Sequence, residues 1–258
     1  MKVIAEVGSN FNTEKDLLDS IKIASDCGAD IVKFQYFSQE DLYGFGSSIH
    51  NFSPEMFPFL RDKALEHGIG FMCSAFSTKG YEFVNDYVDI HKIASAEISA
   101  LDILKTVNDF EKPTIISNGG SSNYETLLAV QKLFKCDLTV MFCVGDYPAK
   151  ILSFDKFKVF RDYFLPLCSV GFSDHSSDVL NIPKMAKDFG IKYLEKHVDF
   201  FNSKDSLDYG HSLNKSEFKL MVDNLNGLSY QLPQHSVRDH KRYYNEVLEK
   251  WVRPLVKD

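Results

Sequence analysis

The chain has 258 residues, of which 44% are hydrophobic, and it carries a formal net charge of −7 at pH 7. This length is typical of one α/β barrel domain and is enough to bury a full hydrophobic core. The acidic balance argues against a general nucleic-acid or acidic-membrane binder, because such proteins present a basic surface. We therefore expect neither nucleic acid nor a membrane among its partners.

The five cysteines indicate a reducing compartment. Their number is odd and none lies in a Cys-x-x-Cys spacing, so neither a disulfide framework nor a structural zinc cluster is predicted. The chain begins Met1-Lys2 and runs directly into a short apolar segment, which is not the pattern of a signal peptide. No apolar stretch is long enough to span a bilayer. These features predict a cytoplasmic protein.

Short β-branched and aromatic segments alternate with amphipathic segments of helical length along the chain. This alternation is typical of repeated βα units and a parallel sheet. The predicted strands are Val3 to Val7, Asp30 to Gln35, Ile69 to Ser74, Asp89 to Ala94, Thr114 to Ser117, Leu138 to Val144, Val170 to Ser173 and Lys192 to Val198. The predicted helices include Glu14 to Cys27, Pro54 to His67, Asn123 to Phe134 and Val179 to Phe189.

Helix start and stop signals agree with this assignment. Gly28, Gly68 and Gly190 follow three of the helices, where a helix C-terminus favours positive φ. Ser53 and Ser122 precede two helices as candidate N-caps.

Eight βα units in this length predict a closed (β/α)₈ TIM barrel of the α/β class over residues 1–230. An open doubly wound sheet is less favoured, because Gly8-Ser9-Asn10 after the first strand is not a glycine-rich dinucleotide fingerprint. Residues 231–258 carry apolar side chains at roughly helical spacing and predict one additional C-terminal helix. That helix either closes the barrel floor, which is the favoured alternative, or contacts a second subunit.

Polar residues lie late in nearly every predicted strand or just after it. In a TIM barrel, catalytic groups cluster at the C-terminal ends of the strands. Side chains alternate between the barrel interior and the helix layer, so Ser173 shares a face with His175, and Glu195 shares a face with His197. The polar residues in question are Glu6, Lys33, Gln35, Ser74, Lys92, Ser95, Ser117, Asp146, Tyr147, Ser173, His175, Glu195 and His197.

Two charged residues in the last two strands, Asp174 and Lys196, have the opposite parity. We expect them to support their neighbours or to pair with each other at the rim.

The segments ending in His175 and His197 are predicted to form neighbouring parallel strands. Such strands lie about 4.8 Å apart, so two imidazoles at the same height can share one metal ion. A two-histidine site leaves positions for water and a substrate oxygen, as a Lewis-acid role requires. The alternative is that each histidine is a hydrogen-bonded barrel residue without metal, and either one alone would favour that alternative.

Lys33 and Lys92 lie within otherwise apolar strands, where an unpaired ammonium is costly. Each therefore needs an anionic partner, which is either an internal carboxylate such as Glu6 or a bound anion. The serines at the strand ends would supply hydroxyl donors for a phosphate or a carboxylate. The positions alone favour neither alternative.

Taken together, these motifs resemble the sialic acid synthase family, whose barrel enzymes condense phosphoenolpyruvate with an open-chain N-acetylated amino sugar. The matching segments cover the chain from near its start to about Leu213. In the family's order they are Ile4-Ala5-Glu6-Val7-Gly8-Ser9-Asn10, Gly28-Ala29-Asp30 with Val32-Lys33-Phe34-Gln35, Lys92-Ile93-Ala94-Ser95, Tyr147-Pro148, Gly171-Phe172-Ser173-Asp174-His175 and Glu195-Lys196-His197. The ordered set is more specific than any single motif.

The resemblance implies a divalent metal ion at His175 and His197, Mn²⁺ or else Mg²⁺ or Co²⁺, which polarises the aldehyde of the sugar. It implies phosphoenolpyruvate contacts at Lys33, Ser74, Lys92, Ser95, Ser117 and Ser173. It implies sugar contacts at Gln35, Tyr147, Glu195 and Asp208.

In the implied reaction, C3 of phosphoenolpyruvate attacks the aldehyde, water adds to the cationic C2, and phosphate leaves. The product is a nonulosonic, sialic-acid-like acid. Lys33 and Lys92 would stabilise developing charge, while Glu6 and Glu195 would position water or sugar hydroxyls.

Three departures from the family pattern touch the rim of the pocket and leave the identity of the sugar open. Asn10-Phe11-Asn12-Thr13 lacks the histidine and glycine of the family's Asn-His-Asn-Gly. Ser117-Asn118-Gly119-Gly120 replaces a Ser-Thr-Gly-Met stretch, and Gly145 replaces an asparagine.

The family usually carries a small C-terminal antifreeze-like domain that delivers an arginine to the sugar site of a partner subunit, which implies a homodimer. The chain is too short to include it. Either a separate chain supplies that domain, or a tail residue such as Arg238, Arg242 or Arg253 substitutes, or the sugar differs.

Two other functions remain as alternatives. One is a 3-deoxy-ulosonate synthase acting on a phosphorylated aldose, against which the two-histidine pattern argues. The other is a catalytically altered barrel that serves as a binding or partner subunit, against which the retained ligand residues argue.

Overall fold

The computed structural model describes residues 1–38, 41, 51–146, 148–149, 153–203, 208 and 210–228. Within them, eight parallel strands close into a barrel in chain order, with the first strand pairing with the last. The strands are β1 (Lys2–Gly8), β2 (Ile31–Gln35), β3 (Gly70–Ser74), β4 (Ile90–Ile93), β5 (Thr114–Ser117), β6 (Leu138–Cys143), β7 (Ser169–Asp174) and β8 (Tyr193–His197). The predicted (β/α)₈ barrel is confirmed.

Helices surround the sheet, one after each strand in the described residues. They are α1 (Glu14–Asp26), α2 (Phe57–Glu66), α3 (Thr78–Val84), α4 (Leu101–Asp109), α5 (Asn123–Lys132), α6 (Phe154–Phe164), α7 (Asn181–Asp188) and α8 (Lys215–Leu225). Short 3₁₀ helices cover Pro54–Met56 and Ser95–Glu97. Among the described residues, no helix has both the length and the apolar character needed to cross a membrane.

The predicted element boundaries hold closely, and every strand end agrees with the prediction to within one residue. Gly28, Gly68 and Gly190 follow their helices with φ of +89°, +62° and +74°, as predicted. Ser122 caps α5 through a capping box with Glu125.

The helix predicted to begin at Pro54 begins later in the structure. Residues Pro54–Met56 form a 3₁₀ turn, and α2 begins only at Phe57. Pro58 has no N–H to donate to the Pro54 carbonyl, so an α-helical ladder cannot start at Pro54. Ser53 occupies the N-cap position of this 3₁₀ turn, as predicted, but its side chain makes no cap hydrogen bond.

The inside of the barrel has an apolar layer and a polar layer. The apolar layer consists of Ile4, Ile31, Met72, Ile115, Met141 and Tyr193, with the partly buried Ile90 packed against them. Side chains two residues further along a strand point to the same side. That step leads to Glu6, Lys33, Ser74, Lys92, Ser117, Cys143, Ser173 and Glu195, all of which are buried. The interior therefore turns polar just before the strands end.

Alternate strand positions face the helices and form the main hydrophobic core. Val32, Phe34 and Leu194 belong to this cluster together with helix residues such as Leu17 and Phe57. This layer fixes the strands rigidly, so the polar layer inside is held on a stable scaffold.

The predicted boundary at residue 230 and the helix in residues 231–258 lie outside the described residues. Both stay predictions.

Candidate active site

Two lysines and two glutamates of the polar layer form a chain of ion pairs. Lys33 Nζ lies 3.0 Å from Glu6 Oε1 and 3.4 Å from Glu195 Oε2. Lys92 Nζ lies 3.5 Å from Glu195 Oε1. All four side chains are buried, so the predicted need for anionic partners is met at least in part by internal carboxylates.

The burial of these groups and their mutual attraction act in opposite directions. Burial alone would raise the pKa of Glu195, but Lys33 and Lys92 outweigh it and hold that pKa well below its usual range. Burial would likewise lower the pKa of Lys33, but Glu195 and Glu6 raise it above its ordinary value. Lys33 and Glu195 are therefore a firmly ionised pair.

Lys92 and Glu6 respond differently, because for them burial is the dominant influence. It lowers the pKa of Lys92 and raises the pKa of Glu6. Of the two carboxylates, Glu6 is the one more ready to carry a proton, which suits a group that transfers protons near neutral pH.

The serines of the strand ends divide into two groups. Ser173 Oγ donates to Glu195 Oε1 at 2.9 Å, and Ser95 Oγ, at the start of a 3₁₀ helix, accepts from the Gly119 N–H at 2.9 Å. In contrast, the buried hydroxyls of Ser74 and Ser117 have no hydrogen-bond partner among the described residues. A buried hydroxyl without a partner costs about 1–3 kcal/mol, which a bound anion would recover.

Gln35 and Asp208 lie next to Glu6. Gln35 Nε2 donates to Glu6 Oε1 at 3.0 Å. At Gly8, a bulge shifts the pairing of β1 and β2, and the backbone has φ of +58°. A β-carbon at Gly8 would lie only 3.0 Å from Asp208 Oδ2 and 3.4 Å from Glu6 Oε1. The structure thus brings the predicted sugar contacts Gln35 and Asp208 together, whereas Tyr147 lies outside the described residues.

His175 and His197 end neighbouring strands, and their ring centroids are 5.2 Å apart. His175 Nδ1 lies 2.9 Å from the Val144 carbonyl, which can only accept a hydrogen bond, so we assign the proton to Nδ1. Nε2 then carries the lone pair and lies 3.3 Å from Ser173 Oγ. Burial, together with His197 and His211, keeps the pKa of His175 well below its usual value. A neutral imidazole is the form that binds metals.

A third histidine, which the sequence analysis missed, lies beside this pair. The ring of His211 is 4.7 Å from His197 and 6.1 Å from His175, centroid to centroid. It belongs to the segment after β8, beyond the strand pattern that drew attention to the other two. The spacing of Asp208 and His211 is visible in the sequence, but no local pattern indicates that this segment returns over the barrel.

The donor set at this end of the barrel fits a divalent metal ion. One nitrogen each of His197 and His211 and one oxygen of Asp208 lie within 4.8 Å of one another. Imidazole nitrogens and carboxylate oxygens are common ligands of Mn²⁺, Co²⁺ and Zn²⁺. The tightest group thus contains only one member of the predicted pair, His197, with His175 adjacent.

Cys143 lies between the buried ion pairs and the histidines of the site. Its Sγ is 3.5 Å from His175 Nδ1, and burial raises the pKa of the thiol to about 12. It is therefore a protonated thiol and not an activated nucleophile.

The residues of opposite parity, Asp174 and Lys196, pair with each other beneath the rim as predicted. Lys196 Nζ lies 2.7 Å from Asp174 Oδ2, and both side chains are fully buried. Lys196 also donates to the Ser176 carbonyl, and Asp174 Oδ1 accepts from the Ser176 N–H at 2.8 Å. This network supports the turn that follows His175.

Comparison with known proteins gives consistent matches over most of the chain. The model of the NeuB family matches residues 20–236. An uncharacterised protein of Methanocaldococcus jannaschii is 30% identical over 257 residues, covering 92% of this chain and 75% of that protein. A pseudaminic acid synthase of Helicobacter pylori is 28% identical over 251 residues, covering 86% and 72%.

Among solved structures, an N-acetylneuraminic acid synthetase from Leptospira borgpetersenii serovar Hardjo-bovis, in complex with citrate, has a TM-score of 0.77 at 25% identity. The match covers 88% of this chain and 82% of that chain.

Proposed function

Because the chain belongs to the NeuB family, a family of phosphoenolpyruvate-using sugar-acid synthases, we propose that it condenses phosphoenolpyruvate with an open-chain N-acetylated amino sugar. The products would be a nonulosonic acid and inorganic phosphate. C3 of phosphoenolpyruvate forms a bond to the aldehyde carbon, whose oxygen gains a proton. Water adds to C2 and loses a proton. The new C2 hydroxyl then gives its proton to the departing phosphate as C2=O forms, and the bond from C2 to the phosphate oxygen breaks with its electron pair going to phosphate.

The observation that carries this proposal is a pair of buried hydroxyls, on the strands flanking Lys92, that have no hydrogen-bond partner in the described part of the chain. Ser74 lies opposite Lys92 in the pairing of β3 and β4, and Ser117 ends β5, on the other side of Lys92. Phosphoenolpyruvate carries a phosphate and a carboxylate, and both groups suit ammonium and hydroxyl donors. Lys92 has one long ion-pair contact, 3.5 Å to Glu195, so its ammonium can serve a bound anion at little loss.

Glu6 and Gln35 are placed to act at the reacting aldehyde. Glu6 has a raised pKa, and Gln35 fixes one of its carboxylate oxygens with a hydrogen bond of 3.0 Å. We assign Glu6 the proton exchange with the aldehyde oxygen or the adding water. Glu195, held ionised by two lysines, orients those lysines and a sugar hydroxyl.

The metal ion proposed at His175 and His197, Mn²⁺ with Mg²⁺ or Co²⁺ as substitutes, would supply Lewis-acid polarisation of the aldehyde. The neutral state of His175 and its hydrogen bond to Val144 support this assignment.

Phosphate release tests the proposal. The full chain is incubated with phosphoenolpyruvate, Mn²⁺ and a panel of N-acetylated hexosamines, with unphosphorylated and phosphorylated sugars tested in parallel. We expect release with at least one unphosphorylated N-acetylated sugar. Release only with a phosphorylated aldose would favour the 3-deoxy-ulosonate synthase, and phosphoenolpyruvate binding in calorimetry with no turnover would favour a partner subunit.

Lys92→Met provides the matched residue test. Removing a charge that stabilises the transition state costs about 10²–10³ in kcat. Lys192→Met is the control, because Lys192 pairs with Asp137 on the surface. Lys192 directly precedes the first residue of β8, whereas the site lies at the other end of the strand. Equal rates for the two variants would contradict the assigned role of Lys92.

A further inference from the structure

The segment after β8 folds back onto the barrel mouth, and it is fixed there by backbone pairing. The Leu213 N–H donates to the His197 carbonyl and the Asp199 N–H to the Leu213 carbonyl, both at 2.9 Å. Asn10 Nδ2 holds the segment from the other side, with contacts of 2.9 Å to the Val198 carbonyl and to Ser212 Oγ. These hydrogen bonds therefore fix the position of His211, which directly precedes Ser212.

Three imidazoles form a triangle at this place, with centroid separations of 4.7, 5.2 and 6.1 Å. His175, His197 and His211 are all buried.

The carboxylate of Asp208 joins two corners of the triangle. Its Oδ2 lies 3.3 Å from His197 Nδ1, and its Oδ1 lies 3.6 Å from His211 Nε2. Atoms that share one metal ion at about 2.0–2.2 Å lie roughly 3–4 Å from one another, and both distances fall in that interval.

We propose that His211 and Asp208 join His197 as ligands of a single divalent metal ion, which makes a site of two imidazoles and one carboxylate beside His175. The proposal rests on the proposed function only in placing the ion of that reaction. Three protein ligands would leave positions for water and a sugar oxygen.

The composition of this site has a consequence for metal choice. Mg²⁺ prefers oxygen ligands and retains several waters, whereas Mn²⁺, Co²⁺ and Zn²⁺ accept imidazole readily. A site with two imidazoles and one carboxylate therefore favours Mn²⁺ or Co²⁺ over Mg²⁺.

Direct metal binding to the full chain tests the proposal without any substrate. Calorimetric titration with MnCl₂ compares the wild type with His211→Ala and His211→Asn, the second of which retains a polar side chain of smaller volume. We expect the dissociation constant to rise at least about tenfold in both variants. His91→Gln is the control, since His91 is a buried histidine near the start of β4, away from the strand ends that form the site.

The absorption spectrum of bound Co²⁺ supplies a second readout. Loss of one imidazole changes the ligand field, so His211→Asn should shift the visible bands while His91→Gln should not. A dissociation constant within twofold of the wild type together with an unchanged Co²⁺ spectrum would overturn the role of His211. Absence of metal binding by the wild type would overturn the whole site.

Failure of the proposed function looks different from failure of this inference. If the wild type binds Mn²⁺ through His211 but releases no phosphate with any sugar, the metal site stands and the reaction falls. If phosphate is released and His211→Ala binds Mn²⁺ like the wild type, the reaction stands and the role of His211 as a ligand falls.

Discussion

Lys196 and Asp174 illustrate how one buried ion pair supports a site without taking part in its chemistry. The pair is fully buried between β7 and β8, where the two residues are register partners. Lys196 also reaches the Ser176 carbonyl, so the pair fixes the turn just after His175. Each charge of the pair neutralises the other, so the protein is destabilised only when one partner is removed and the other stays buried without it.

We expect Lys196→Met to destabilise the fold by about 3–5 kcal/mol, because the Asp174 carboxylate would remain buried without its cation. The double variant Lys196→Met with Asp174→Asn should recover a substantial part of that loss. Urea unfolding of the single and double variants measures both. A double variant no more stable than Lys196→Met would contradict this account.

His91 is a buried histidine that faces the helix layer. Its Nε2 lies 2.9 Å from Asn85 Oδ1, and its ring packs at 5.2 Å from Phe110. Burial, with a smaller effect of Lys112, lowers the pKa of His91 to about 4. The unfolded chain binds this proton near pH 6.5, so its contribution to stability is complete above pH 6.5 and is lost as the pH falls toward 4.

This pH dependence can be measured by urea unfolding at pH 7.5 and pH 4.5. Between these values His91 alone should contribute a loss of roughly 2–3 kcal/mol in the free energy of unfolding. His91→Gln should reduce the difference between the two pH values by about that amount. An identical pH dependence in the variant would show that His91 does not titrate as described.

At the scale of elements, β7 and its neighbours leave no room for a side chain at Gly171. A β-carbon there would lie 2.9 Å from Met141 Cγ and 3.0 Å from the Tyr193 carbonyl. Gly171 occupies the apolar layer position of β7, two residues before Ser173. Only glycine lets β6 and β8 pack against β7 at this distance.

Gly171→Ala should therefore destabilise the protein by about 1–3 kcal/mol through overpacking. Gly190→Ala is a useful comparison, because Gly190 has φ of +74° but nothing within 4 Å of an added β-carbon. That variant should lose about 1–2 kcal/mol from backbone strain alone and leave Ser173 and Glu195 in position. The urea midpoint and the affinity for phosphoenolpyruvate distinguish the two variants. Both should unfold at lower urea concentration, but only Gly171→Ala should also bind phosphoenolpyruvate more weakly.

The strands were predictable because period-two alternation and the change to helical periodicity are local signals. The polar layer followed from the same alternation, which is why Glu6, Lys33 and Glu195 were expected on the inside. The start of α2 differs from the prediction, because Pro58 cannot donate a hydrogen bond to the Pro54 carbonyl and the α-helical ladder begins only at Phe57.

At the scale of the whole molecule, barrel closure depends on segments far apart in sequence. β1 pairs with β8 from Lys2 to Glu6, which places Glu6 beside His197. Within the described residues, the eight strands and the eight helices that cover them extend from Lys2 to Leu225. The predicted homodimer and the predicted separate chain for a C-terminal domain remain predictions.

Removal of residues 231–258 tests the predicted role of the tail. Because β1 to β8 close the barrel within the described residues, we expect the shortened protein to fold with cooperative thermal unfolding. If the tail closes the barrel floor, as predicted, the melting temperature should fall while the oligomeric state stays that of the full chain. Size-exclusion chromatography with light scattering measures that state, and dissociation of an oligomer on shortening would favour a subunit contact instead.

The sequence by itself determined the barrel, the parity of its strands and the inward position of the lysines, glutamates and paired histidines, because each depends on short-range periodicity. Only the tertiary structure decided that Glu195 serves both Lys33 and Lys92, and that Ser74 and Ser117 have no partner among the described residues. It also brought Asp208 and His211 to His197. These contacts form between chain segments that closure of the sheet and the return of the segment after β8 bring together. No local sequence pattern predicts such long-range contacts.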